Sequence, residues 1–218
     1  MNFIQTNIAI IAALILFGIV LYFYRQIHMR QNRYMFGALI YALIVILLSI
    51  FSINLGPITE IVASGHLALG FFLLVIFAGV LKKNTLPKKA LTLVRGELAV
   101  IGFIFLLPHA FTRLNLALSG YNSNGILAMI TLIPLVVTTF MFVRKRMTPQ
   151  AWKTLHKLSY FTYFIIYVHI AFDISINPDL MYFRFSPNTI LYHVLLLLYV
   201  ALRIINVTLP KRQQLAKA

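Results

Sequence analysis

The sequence predicts an all-α fold: a polytopic transmembrane helical bundle of about seven spans, N-terminus outside and C-terminus cytoplasmic. Three observations carry this. Of 218 residues, 61% are hydrophobic and only 11% charged, with a mean hydropathy of +0.91; a soluble domain of this size needs far more polar surface. The apolar residues arrive in blocks near the length that crosses a bilayer, and lipid leaves helices as the economical way to satisfy the backbone. The basic residues alternate between loops.

In chain order the apolar blocks are 5–24, 35–53, 61–81, 97–116, 125–143, 156–174 and 188–208. The first could pass for a signal peptide, but no basic region precedes it and no small-residue cleavage site follows, so it is expected to be a true span. After it come Arg25, Arg30 and Arg33. Lys82, Lys83, Lys88, Lys89 and Arg95 follow the third span, and Arg144, Lys145, Arg146, Lys153 and Lys157 the fifth. The C-terminal end carries Arg203, Lys211, Arg212 and Lys217. These groups hold seventeen of the nineteen Lys and Arg; the opposite loops keep only Arg113 and Arg184. This is the positive-inside pattern, and it sets the expected orientation in the cytoplasmic membrane. The net charge of +15 therefore reads as topology reinforced by anionic lipid, not as a nucleic-acid surface.

The chain has no cysteine, which excludes disulfides, iron–sulfur clusters, thiolate chemistry and covalently attached c-type heme. No long hydrophilic segment and no phosphate-cradling glycine motif occur, so no nucleotide- or flavin-binding domain is expected within it. We divide the chain into N-terminal spans (1–59, one of them additional), a core (60–208) and a basic tail (209–218).

Six histidines remain, and depth sorts them. His109 lies fourteen residues past Arg95, about 21 Å up its helix; His169 lies thirteen past His156, about 20 Å up. Both are expected at one height in the outer half of the bilayer, where two neutral imidazoles on separate spans can clamp a b-type heme. Intramembrane ionisable groups are rare and usually functional. Pro108 either aims His109 by kinking its helix or is a tolerated kink; Pro134 is read as the latter. One turn above the pair lie Arg113, placed to neutralise a propionate, and Asp173, which would orient an imidazole, pair with Arg113 or reach for water.

His156, at the inner boundary, is level with Arg95 and lacks a second imidazole. Three readings stay open: ligand of an inner heme, contact to a flavin (FMN) or quinone, or structural histidine. His66, beside Gly65, is an alternative heme ligand; His193 is expected at the interface, and His28 is expected to be solvated. Four outer imidazoles (His66, His109, His169, His193) make a weak case for zinc or copper. Gly65, Gly70 and Gly79 are expected to serve close helix packing. No nucleophile–base set is present.

The segment Trp152-Lys153-Thr154-Leu155-His156-Lys157-Leu158-Ser159-Tyr160 followed by His169, together with Arg95 followed by His109, resembles the ferric-reductase-like transmembrane family. The likeness is to its small heme-binding branch, which includes the membrane subunit of the periplasmic methionine-sulfoxide reductase system. It runs over roughly 60–208 and is strongest at 144–170. It implies heme-ligand roles for His109, His156 and His169, and contact of Arg95 with a flavin or propionate. Arg95-Gly96-Glu97-Leu98 stands where the branch has paired arginines and Gly-Leu. The expected function is a subunit holding heme b (one, or two), passing electrons from a separate cytoplasmic flavoprotein or quinol to an extracytoplasmic reductase partner or ferric iron. It would be an enzyme only as the electron-transfer component of such a system. The competing class is a non-redox transporter or assembly subunit whose histidines pack helices.

Overall fold

A computed structural model describes residues 3–177, 180–185 and 187–208. The tail 209–218, and with it Lys211, Arg212 and Lys217, lies outside the described residues. Among the described residues eleven α-helices run in order: α1 Phe3–Met29, α2 Gln31–Ile50, α3 Pro57–Ala63, α4 His66–Phe77, α5 Leu86–Leu93, α6 Arg95–Leu118, α7 Asn124–Val137, α8 Met141–Arg144, α9 Pro149–His156, α10 Leu158–Ala171 and α11 Ile190–Arg203. Between α10 and α11 lies an antiparallel hairpin, β1 Phe172–Asn177 and β2 Leu180–Phe185, with Phe172 opposite Phe185. The fold is helical as expected. The hairpin is an addition that a sequence expectation of helices joined by loops lacked.

Among the described residues four helical stretches are long and apolar enough to cross a membrane: Asn7–Met29, Gln31–Ile50, Arg95–Leu118 and Pro187–Val207. The blocks expected as the third, fifth and sixth spans are realised as shorter apolar helices instead. The third is cut where Gly65 takes φ +81°, a left-handed conformation that glycine adopts without Cβ strain. The fifth ends at Val137, short of the basic run, and the sixth begins after a break at Lys157 that separates α9 from α10. The long helices display their apolar side chains outward: Leu14, Tyr22 and Phe36 on α1 and α2 and Leu197 on α11 are all exposed. Helices of this length with apolar exteriors make this a membrane protein.

The core is built where α4 meets α1 and α6. Val20 and Ile27 of α1, Ala38 of α2, Phe71, Leu74 and Val75 of α4, and Leu98 and Ile101 of α6 form one buried cluster. The N-terminal spans thus pack into the same core as the rest of the chain. Two glycines allow the approach: a Cβ on Gly70 would stand 3.2 Å from both the Ala12 Cβ and the Ala13 backbone nitrogen of α1, and one on Gly102 would stand 2.9 Å from the Phe71 Cβ. Gly79 faces only the Ile76 carbonyl of its own turn. α6 runs as one helix through Pro108, which is fully buried.

His28 is exposed to solvent as expected, but it also has a partner. Its Nδ1 lies 2.6 Å from Oε1 of Glu97, whose side chain is 8% exposed against 48% for the imidazole. The pair ties the end of α1 to the first turn of α6, where a carboxylate also complements the helix dipole. Removing the partner of a buried carboxylate costs more than the pair itself is worth. His28→Ala is expected to lower stability by about 2 kcal/mol. The double variant His28→Ala/Glu97→Leu should recover part of that loss, as read by thermal unfolding in detergent. Equal or additive losses would show that the carboxylate does not depend on His28.

Candidate functional site

At the helix break the Ser64 and Gly65 N–H groups close onto the Glu60 and Val62 carbonyls, and the Ala63 carbonyl at the end of α3 takes its donors from side chains. His109 supplies one of them from α6: its Nδ1 donates to the Ala63 carbonyl at 3.1 Å, while the Thr112 hydroxyl reaches the same oxygen at 3.5 Å. The imidazole lies over Gly65, where a Cβ would stand 3.0 Å from its Cγ. A helix end, a glycine and a histidine 44 residues on thereby fix one ring.

A second ring is fixed in the same way from α10. His169 Nδ1 donates to the Asn124 side-chain oxygen at 3.2 Å, and the Asn122 amide donates to the His169 carbonyl at 3.1 Å. Asn122 has φ +48°, an asparagine-tolerated left-handed turn that leads into α7. Gly125 again makes room: a Cβ there would stand 2.8 Å from His169 Cε1. The Asn122 backbone N–H also donates to the Ile174 carbonyl at 2.7 Å, tying the turn to the hairpin. The polar run Asn122-Ser123-Asn124-Gly125 is a turn signal in the sequence, standing just ahead of the apolar block expected from 125.

The two rings meet. The His109 and His169 centroids are 6.3 Å apart, with ring planes at 77°. Residues 60 apart in the chain, on α6 and α10, thus come together. With each Nδ1 proton held by an oxygen, Nε2 carries the lone pair in both, the tautomer that metal-bound histidines adopt. Metal–imidazole bonds of about 2 Å on opposite sides of one ion would separate the centroids by about 6 Å. The centroid spacing is one that two imidazoles on a single metal ion would also have.

The other expected site residues fall around this pair or away from it. His66 opens α4, its Nδ1 2.6 Å from the Ser64 hydroxyl, close enough to His109 for their charges to interact. Arg113 is exposed, likewise within electrostatic reach of His109. The Asp173 and Arg184 side chains lie outside the described residues. His193 is turned elsewhere, with its Nδ1 2.6 Å from the Tyr167 hydroxyl. Among the described residues no three His, Asp or Glu side chains converge on a cation site, so the four outer imidazoles do not gather around one ion.

His156 belongs to a different cluster. On α9 it is four residues from Trp152, hence on the same face, and the two rings stack with centroids 4.1 Å apart. Both dock on the end of α7: Trp152 Nε1 donates to the Thr138 carbonyl at 3.2 Å, and His156 Nε2 lies 3.2 Å from the Thr138 hydroxyl. That hydroxyl donates its proton to the Pro134 carbonyl at 2.6 Å, so it accepts from His156, committing Nε2 as a donor. The Arg144 guanidinium covers the Trp152 ring at 4.5 Å, and Arg95 and Arg144 both act electrostatically on His156. Arg95 itself is exposed. Of the three readings left open for His156, this geometry favours the structural one. Thr138 carried no sequence signal that would have singled it out.

No family model matches the chain, and no solved structure matches it. It is similar to an uncharacterized protein of Treponema pallidum (strain Nichols), 29% identical over 164 residues that make up 69% of this chain and 44% of that protein. The chain thus spans less than half the length of that relative.

Proposed function

We propose that this protein is a heme b-containing membrane electron-transfer subunit, with His109 and His169 as the axial ligands. One observation carries the reading: two imidazoles from separate helices, 6.3 Å apart, each with Nδ1 held by an oxygen. A bound heme would supply reversible one-electron chemistry. The protein's own part is to hold both rings against rotation, through the Ala63 carbonyl and Asn124, and to keep water away through the apolar side chains of α4 and α7. Arg113, near His109, suits a propionate.

The seven-span topology with the N-terminus outside, the cytoplasmic-membrane location and the likeness to the ferric-reductase-like family belong to this proposal. So does the route, from a separate flavoprotein or quinol on the Arg95 side to an acceptor protein or ferric iron on the His109 side. His66 remains a possible substitute ligand by position.

The protein purified from heme-replete cells is expected to be red, with the Soret and α bands of a low-spin b-type heme on reduction and about one heme per chain by pyridine hemochromogen assay. A colourless, folded preparation that also takes up no added hemin would overturn the proposal in favour of a non-redox membrane protein.

A further inference from the structure

A narrow apolar groove of about 250 Å³ runs between α4, α10 and α11, lined among others by Phe72, Tyr163, Ile166, Leu195, Leu196 and Tyr199. It is independent of the histidine pair. The lining positions on α10 run from 160 to 170, about 15 Å of helix. α11 is pinned across it at both ends and leaves the middle open. At one end the Tyr167 hydroxyl meets His193, and at the other Phe77 packs edge-on against Tyr199 at 5.9 Å. Beyond that second end, Asn206 donates to the Val80 carbonyl at 3.2 Å.

The Tyr199 end is strongly basic. The Arg203 guanidinium lies over the Tyr160 ring at 5.3 Å, and Arg95 and Arg203 both act on the Tyr199 hydroxyl. Lys88 of α5 reaches in from the side, its Nζ donating to the Ala78 and Gly79 carbonyls at 2.6 and 3.4 Å and closing the end of α4. Burial, then the Arg95, Arg203 and Lys83 charges, push this ammonium below the usual lysine range. Among the described carboxylate side chains, Glu97 is engaged by His28 and Glu60 sits beside Asn54. Cations crowded this way at the mouth of an apolar slot suit an amphiphile with a negative head.

We infer that the groove is a binding site for an anionic phospholipid, with an acyl chain between α4, α10 and α11 and the phosphate against Arg95, Arg203 and Lys88. A neutral quinone would use the slot but has no need of the charges. A free phosphate would use the charges but not the slot. Basic clusters at the ends of membrane helices recognise anionic headgroups in this way.

The test uses the full chain in vesicles of equal dioleoylphosphatidylglycerol and dioleoylphosphatidylcholine, extracted in mild detergent, with the co-purifying lipid quantified by mass spectrometry. Phosphatidylglycerol should be enriched about tenfold. Arg203→Gln should lower that to a few-fold, while Arg203→Lys keeps it. Leu196→Trp, which fills the slot, should abolish retention with the cations intact, and the same change at exposed Leu197 should have no effect. Lys153→Gln, an equal loss of charge elsewhere, should also leave the enrichment unchanged. The inference is overturned by equal retention of the two lipids, by loss with Arg203→Lys as with Arg203→Gln, or by full retention in Leu196→Trp. Displacement of the lipid by inorganic phosphate, or by decylubiquinone at matched concentration, would reassign the site to those ligands.

Discussion

Replacing His169 by glycine is expected to abolish the low-spin heme spectrum and to weaken heme retention by more than about 100-fold, beyond the 10–100-fold typical of losing only a supporting contact to a metal ligand. His109→Gly should do the same, because each ring would supply one of the two axial bonds. Glycine in a helix costs about 1 kcal/mol, so the variant should still fold, and the cavity it opens permits a specific rescue. Free imidazole added to His169→Gly should restore the low-spin bands, since the ring's place beside Gly125 and Asn124 is kept. His193→Gly, whose ring is held by Tyr167 instead, should leave the spectrum unchanged. A low-spin spectrum that survives both single replacements would move the ligands elsewhere, with His66 the first position to examine. A spectrum lost but not restored by imidazole would point to a packing role for the histidine.

The largest effect on stability is expected at Gly102. A Cβ there would stand 2.9 Å from the Phe71 Cβ and 3.2 Å from Phe72 Cε1, at the buried crossing of α4 and α6. The nearest of these atoms belongs to the stiff base of a side chain and cannot swing aside, so the helices themselves must separate. Gly102→Val should cost about 3 kcal/mol, or roughly 10 °C in melting temperature for a chain of this size. Gly37→Ala is the matched control. It lies within α2 with nothing within 4 Å of its added Cβ, so it should be neutral or stabilising by up to about 1 kcal/mol. Equal behaviour of the two variants would mean that α4 and α6 do not cross as closely as described.

The legible part of this protein is whatever a helix makes additive. A helix rises by a constant amount per residue, and the count from Arg95 to His109 runs along one helix, α6; the count from His156 crosses the break at Lys157, so the meeting of the His109 and His169 rings is a tertiary result. Apolar blocks marked the long helices, because lipid exposure demands an unbroken run of such residues. Gly70 was expected to serve close packing, and it does, against Ala12 and Ala13.

The rest depends on which faces meet, and no local pattern encodes that. His28 showed no partner in the sequence because Glu97 is 69 residues away and reaches it only when α1 packs beside the start of α6. His156 left three readings open. The break at Lys157 and the docking of Trp152 on α7 give it Thr138 as a partner. The cut at Gly65 and the hairpin after Phe172 interrupt blocks whose composition is uniformly apolar or ambiguous. Sequence alone determined that this chain forms long apolar helices and singled out two histidines on separate helices. The tertiary structure decided which carbonyl and amide groups hold those rings, and where a basic mouth meets an apolar slot, because both arise from lateral contacts between segments far apart in the chain.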